Sequence, residues 1–88
     1  MLKNKGENMQ DLEWRLKLEE REDGVVISTI KTPFLKWYGD YEIAISVDGL
    51  PWHVCFGCET EEEVISKHEE YTKMAKDEII KIYNGCVI

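Results

Sequence analysis

Asp48-Gly49 lies between two runs of alternating hydrophobicity, 41–47 and 50–56, and no other feature constrains the fold as tightly. The two-residue turn that matches strand twist needs positive φ at both central positions, which Asp-Gly tolerates, so the pair predicts a β-hairpin. Alternation puts Tyr41, Ile43, Ile45 and Val47 on one face. A two-residue turn then pairs Val47 with Leu50, Ile45 with Trp52, Ile43 with Val54 and Tyr41 with Phe56, all large and apolar. Pro51 falls opposite Ser46 at a non-hydrogen-bonded pair, where no N–H is required of it. His53 and Cys55 fall on the outer face beside Ala44 and Glu42, and the strand from Leu50 is an edge at that end.

A second hairpin precedes the first. Leu12, Trp14, Leu16 and Leu18 alternate with Glu13, Arg15, Lys17 and Glu19, the pattern of a half-buried strand. Its partner is Val25-Val26-Ile27-Ser28-Thr29-Ile30, rich in β-branched residues. A three-residue loop, Glu22-Asp23-Gly24, pairs Arg21 with Val25, Leu18 with Ser28, Leu16 with Ile30 and Trp14 with Thr32. A four-residue loop turns the other face of the second strand inward, and both registers stay open. Pro33 and Gly39 punctuate a connection over 32–40.

At Thr60 the period changes. Thr60-Glu61-Glu62-Glu63 is a capping box with three carboxylates at the positive end of a helix dipole. The helix is expected to run unbroken to about Tyr83, with Asn84-Gly85 as its stop. Val64, His68, Tyr71, Ala75, Ile79 and Ile82 share one stripe, with Ile65 and Thr72 at its margin. Glu63–Lys67, Glu69–Lys73 and Asp77–Lys81 are spaced as i,i+4 pairs. The expected fold is α+β: a four-stranded antiparallel β-meander with one long C-terminal α-helix packed on one face. Residues 1–11 read as a frayed N-terminus, 12–85 as the single domain and 86–88 as an apolar tail.

Composition narrows the function. The 88 residues hold 18 acidic and 11 basic side chains, a net charge of −7, which argues against direct binding to nucleic acid or anionic membranes. No apolar run approaches the ~18 residues of a membrane helix, and the N-terminal stretch has no apolar signal core. Three cysteines suit a reducing cytoplasm better than a disulfide framework.

Candidate chemistry is sparse. His53-x-Cys55-x-x-Cys58 lacks the second ligand pair of a structural zinc site. As a redox motif, Cys55-Phe56-Gly57-Cys58 follows a meander and neighbours four glutamates that hold thiol pKa values up. His68, central on the apolar stripe, reads as a hydrogen-bonded core residue. There is no phosphate loop, nucleophile elbow or metal-binding helix motif, so neither enzyme activity nor a cofactor is expected.

Two surface features remain. Phe34, Trp37 and Tyr38 crowd the central connection as aromatic interface anchors, or as a cap on one end of the core. Glu19, Glu20 and Glu22 crowd the first hairpin, and Glu59, Glu61 and Glu62 the helix start, beyond what capping uses. Such clusters suit a basic partner surface, as a nucleic-acid mimic does, or serve solubility.

Trp37-Tyr38-Gly39-Asp40-Tyr41-Glu42, Thr60-Glu61-Glu62-Glu63-Val64 and His68-Glu69 together resemble small uncharacterised proteins of tailed phages and prophages of Gram-positive bacteria, over 37–73. Those carry a Tyr-Glu opening a strand and a Thr-Glu-Glu-Glu-aliphatic box starting a helix with a His-Glu inside it. This chain departs in having Ile43-Ala44-Ile45 where bulkier residues are expected, and Lys67 where Gly precedes the His. The resemblance implies no catalytic residues. It implies a phage or mobile-element origin, where small acidic proteins serve as inhibitors or adaptors of host proteins. The expectation is a cytoplasmic, non-enzymatic protein-binding module engaging a host defence or nucleic-acid-handling protein. The alternatives are a metal- or thiol-dependent regulatory domain using Cys55 and Cys58, and a structural homodimer joined through a strand edge.

Overall fold

The computed structural model describes residues 15–32 and 39–86. The expected frayed segment 1–11, Trp14, the aromatic residues of 34–38 and residues 87–88 lie outside the described residues. Four strands, β1 (Arg15–Glu20), β2 (Val25–Lys31), β3 (Tyr41–Val47) and β4 (His53–Cys58), are followed by α1 (Glu61–Thr72) and α2 (Lys76–Gly85). The strands form one antiparallel sheet in the order β1-β2-β3-β4, so the α+β meander is as expected. The core lies between its two central strands and the helices. Val25, Ile27 and Thr29 of β2 pair with Val47, Ile45 and Ile43 of β3. Val64, His68 and Tyr71 of α1, Ile79 and Tyr83 of α2, and Cys58 of β4 are buried with them.

The single long helix is corrected to two short ones. Thr60 caps α1 as read: its hydroxyl accepts from the Glu63 backbone N–H at 3.2 Å and donates to the Glu63 carboxylate. The chain then tightens, with the Lys73 N–H donating to Glu70 O and the Met74 N–H to Tyr71 O. Ala75 is extended, at φ −63° and ψ 148°. The cause lies just past the end of β1. Arg21 Nη1 donates to Tyr71 O at 3.1 Å and to Met74 O at 2.7 Å, satisfying carbonyls that a continuous helix would use. Lys76 Nζ fastens the first turn of α2 to Asp48 Oδ1 at 3.0 Å and to Asp23 O. The break rotates the second half of the stripe, so Ala75 is exposed and Tyr83 is buried where Ile82 was expected to be.

The first hairpin takes the three-residue loop. The Arg21 N–H donates to Val25 O at 2.8 Å, Gly24 has φ +94°, and Leu18 pairs with Ser28. Yet β1 does not present Leu18 to the helices. Lys17 and Glu19 oppose Thr29 and Ile27 on the helix side, while Leu18 is 37% exposed on the other face. Edge position explains this: at the margin of the helix layer, long polar side chains reach inward, Lys17 to Glu69 of α1 and Arg21 to the helix break. Glu69 therefore pairs across the domain with Lys17, and Lys67 pairs with Glu70 at 3.2 Å. A bulge between Arg15 and Lys17 replaces the expected Leu16–Ile30 pair and packs Leu16 against the core.

The second hairpin corrects the register more sharply. Leu50 N–H donates to Val47 O at 2.9 Å, and Asp48 and Gly49 have φ of 52° and 79°, so the turn forms as read. Beyond it, Ile45 pairs with His53 rather than Trp52, and Ala44 with Val54. Pro51 offers no ladder donor, and Ser46 Oγ donates instead to Leu50 O at 2.7 Å. One extra residue is absorbed there, so His53 turns inward and Trp52 is left 50% exposed. A bulge at Cys55 then sets Phe56 opposite Ile43 and Cys58 opposite Tyr41, with Cys55 packed against the core. His53 and Cys55 thus lie on the helix side, not the outer face.

Candidate functional site

An open cleft of about 520 Å³ runs between edge strand β4 and α1, lined by Phe56, Glu62, Glu63, Ser66, Lys67 and Glu70. Positions 62, 63, 66, 67 and 70 form one helical stripe beside the buried one, which turns them toward the strand edge. Lys67 is among the lining residues. Its Nζ is 5.3 Å from the Phe56 ring centroid, 5.8 Å from that of Tyr71 and 3.2 Å from Glu70 Oε1. Glu70 and the Phe56 ring therefore hold that ammonium, and Glu62 with Glu63 gives the rim its negative charge. Glu59 and Glu61 extend the same exposed acidic margin across the helix start. Tyr71, below the cleft, has its phenol pushed up to about 12, first by burial.

The second acidic group stands apart. Glu20 and Glu22 are exposed at the β1–β2 tip and Glu19 is half-buried on the helix side. Register places Glu19 level with His53, six residues along and three strands across from Glu59. With a rise of about 3.3 Å per residue and about 4.8 Å between strands, the groups are on the order of 25 Å apart. They form two surfaces. Phe34, Trp37 and Tyr38, the expected aromatic anchors, lie outside the described residues.

One exposed feature went unread in the sequence. Trp52 and Leu50, at the β3–β4 tip, are 50% and 53% exposed, although alternation had put both inside. The signal that could have found them is Pro51, whose missing donor disturbs the ladder between them.

The cysteines and histidines serve packing. Cys55, Cys58 and Cys86 are free thiols. Cys58 is buried and donates to Thr60 O at 3.3 Å, and burial pushes its thiol pKa up. Cys55 donates to His53 O and is pushed up to about 12 by burial and then by hydrogen bonding to Cys86. His53 stacks on Tyr83 with centroids 4.0 Å apart, and its Nδ1 lies 2.9 Å from Tyr83 O. His68 Nδ1 sits 2.6 Å from Thr29 Oγ1 in the core, and burial, then Lys17, holds its pKa down. Among the described residues no three His, Cys, Asp or Glu side chains converge to hold a metal ion. Nor is any helix there long and apolar enough to cross a membrane.

The chain matches no known family model, no curated protein and no solved structure.

Proposed function

We propose that this chain is a small acidic, non-enzymatic protein-binding module of the cytoplasm, of phage or prophage type, that engages a basic surface of a host protein. The observation that carries the reading is the cleft between β4 and α1, whose lining joins the Phe56 ring to the carboxylates of Glu62, Glu63 and Glu70. Its lining offers no cysteine or histidine, and its single ammonium is already engaged by Glu70, so it suits recognition of a cation better than bond-making. Exposed Trp52 and Leu50 supply a second anchor of the kind interfaces use. A strand-edge homodimer is less favoured, because both edge strands carry bulges and β1 carries Lys17, Glu19 and Glu20.

The test is capture from a bacterial lysate with the tagged full chain, followed by binding to the recovered protein. The expected partner has a basic surface, and affinity should fall as salt rises from about 50 to about 500 mM. Reversing Glu59, Glu61 and Glu62 to Lys should weaken binding at least tenfold. Reversing Glu19, Glu20 and Glu22 tests the distant surface separately. Binding indifferent to salt and to both reversals overturns the reading.

A further inference from the structure

We propose that Lys67 is an internal occupant of the cleft between β4 and α1, and that an arginine side chain of a basic partner displaces it. The inference rests on the binding reading given above and names the group recognised and what competes for it. Lys67 already does what a ligand cation would do there. Its ammonium lies 5.3 Å from the Phe56 ring centroid, 5.8 Å from that of Tyr71 and 3.2 Å from Glu70 Oε1. Two rings and a carboxylate thus hold a positive charge at the cleft. The lining sets the carboxylates of Glu62, Glu63 and Glu70 against that one ammonium, so the cleft stays negative with Lys67 in it. Glu62, Ser66 and Glu70 follow one another at i,i+4 spacing on α1, a polar line alongside the Phe56 ring.

Displacement selects arginine over lysine. Lys67 reaches Glu70 from the preceding turn of the same helix, so a partner's ammonium meets a tethered competitor of identical chemistry. A guanidinium competes on other terms. It is planar, lies flat on an aromatic face, forks two donors onto one carboxylate and is less strongly hydrated than an ammonium. Lys67 is also easy to release. The Glu70 side chain it pairs with is 55% exposed, and an ion pair at the surface contributes little. Rotation of the lysine stem toward water frees the Phe56 ring and Glu70 together, with no change of backbone. Lys67 is therefore a filter that holds amines off the cleft and yields to a guanidinium.

The probe is an acetylated, amidated Gly-Arg-Gly peptide titrated into the isotope-labelled full chain and followed by NMR, beside matching peptides with lysine or citrulline. The Lys67 Cε protons, shielded by the two rings in the free protein, should move downfield as the arginine peptide binds, and the Phe56 ring signals should move with them. The lysine peptide should bind at least about fivefold more weakly and the citrulline peptide at least about tenfold. Lys67→Met keeps the stem and removes the cation; it should tighten the arginine peptide about threefold and narrow its advantage over lysine. Phe56→Leu, with amide dispersion confirming the fold, should weaken it at least about fivefold. Lys67 signals that stay put while the peptide binds, equal affinity for arginine and citrulline, or no binding at all overturns the proposal. Failed lysate capture with these titrations as expected falls on the reading above alone. A captured basic partner that leaves the Lys67 signals unmoved falls on this inference alone.

Discussion

Replacing Arg21 with methionine tests why the helix breaks. The guanidinium donates to Tyr71 O and Met74 O and forks onto Asp23, and its side chain is only 14% exposed. Methionine keeps most of the aliphatic packing and loses every donor. Each hydrogen bond from a charged donor contributes about 1.5–3 kcal/mol, but water recovers part of that at a half-buried site. The pair with Asp23, whose carboxylate is at the surface, adds little. A net loss of about 2–3 kcal/mol follows, from a total of roughly 4–13 kcal/mol for 88 residues. For a domain of this size that lowers Tm by about 10–20 °C. Denaturant unfolding with far-UV CD measures it, and Arg21→Lys should fall between, since one ammonium cannot reproduce the fork. Asp23 gives a second reading. Arg21 is the main reason its carboxyl titrates below the usual range, so its pKa should climb in Arg21→Met. A loss under about 0.5 kcal/mol, or an Asp23 titration that does not move, refutes the assignment of the break to Arg21.

Thr29→Val strands His68 Nδ1 in the core and should cost about 1–3 kcal/mol by urea unfolding. His68 has its pKa lowered in the fold, so as pH falls below about 6.5 the unfolded chain takes a proton that the folded one resists, and stability declines. Urea midpoints from about pH 7.5 to about pH 5 should show that decline, and His68→Leu should flatten it. Further acidification removes the stability tied to the depressed carboxyls of Glu69 and Asp23, held by Lys17 and Arg21. Ile45→Ala should cost about 2–5 kcal/mol while Trp52→Ala stays within about 0.5 kcal/mol, measured the same way; comparable losses would mean that Trp52 is core after all.

Local grammar determined much of this protein. Asp48-Gly49 made its turn and Thr60 with Glu63 capped α1, because each depends on neighbours within four residues, whereas the three-residue loop at Glu22-Asp23-Gly24 was one of two that the sequence left open. Period two identified the strands and the sheet order, and Ile43, Ile45 and Val64 were buried as their spacing required. Tertiary structure decided three things. Whether Leu18 or Lys17 faced the helices depended on how far the helix layer reaches across the sheet, and β1 lies at its margin. The register of β4 turned on Ser46 answering Leu50 O and on a bulge at Cys55, both one-residue events that alternation cannot register. The break at 73–75 has neither glycine nor proline to announce it. It exists because Arg21, more than fifty residues upstream of the break, offers the carbonyls a stronger donor than the next helical turn, and long-range competition of that kind is written in no local pattern.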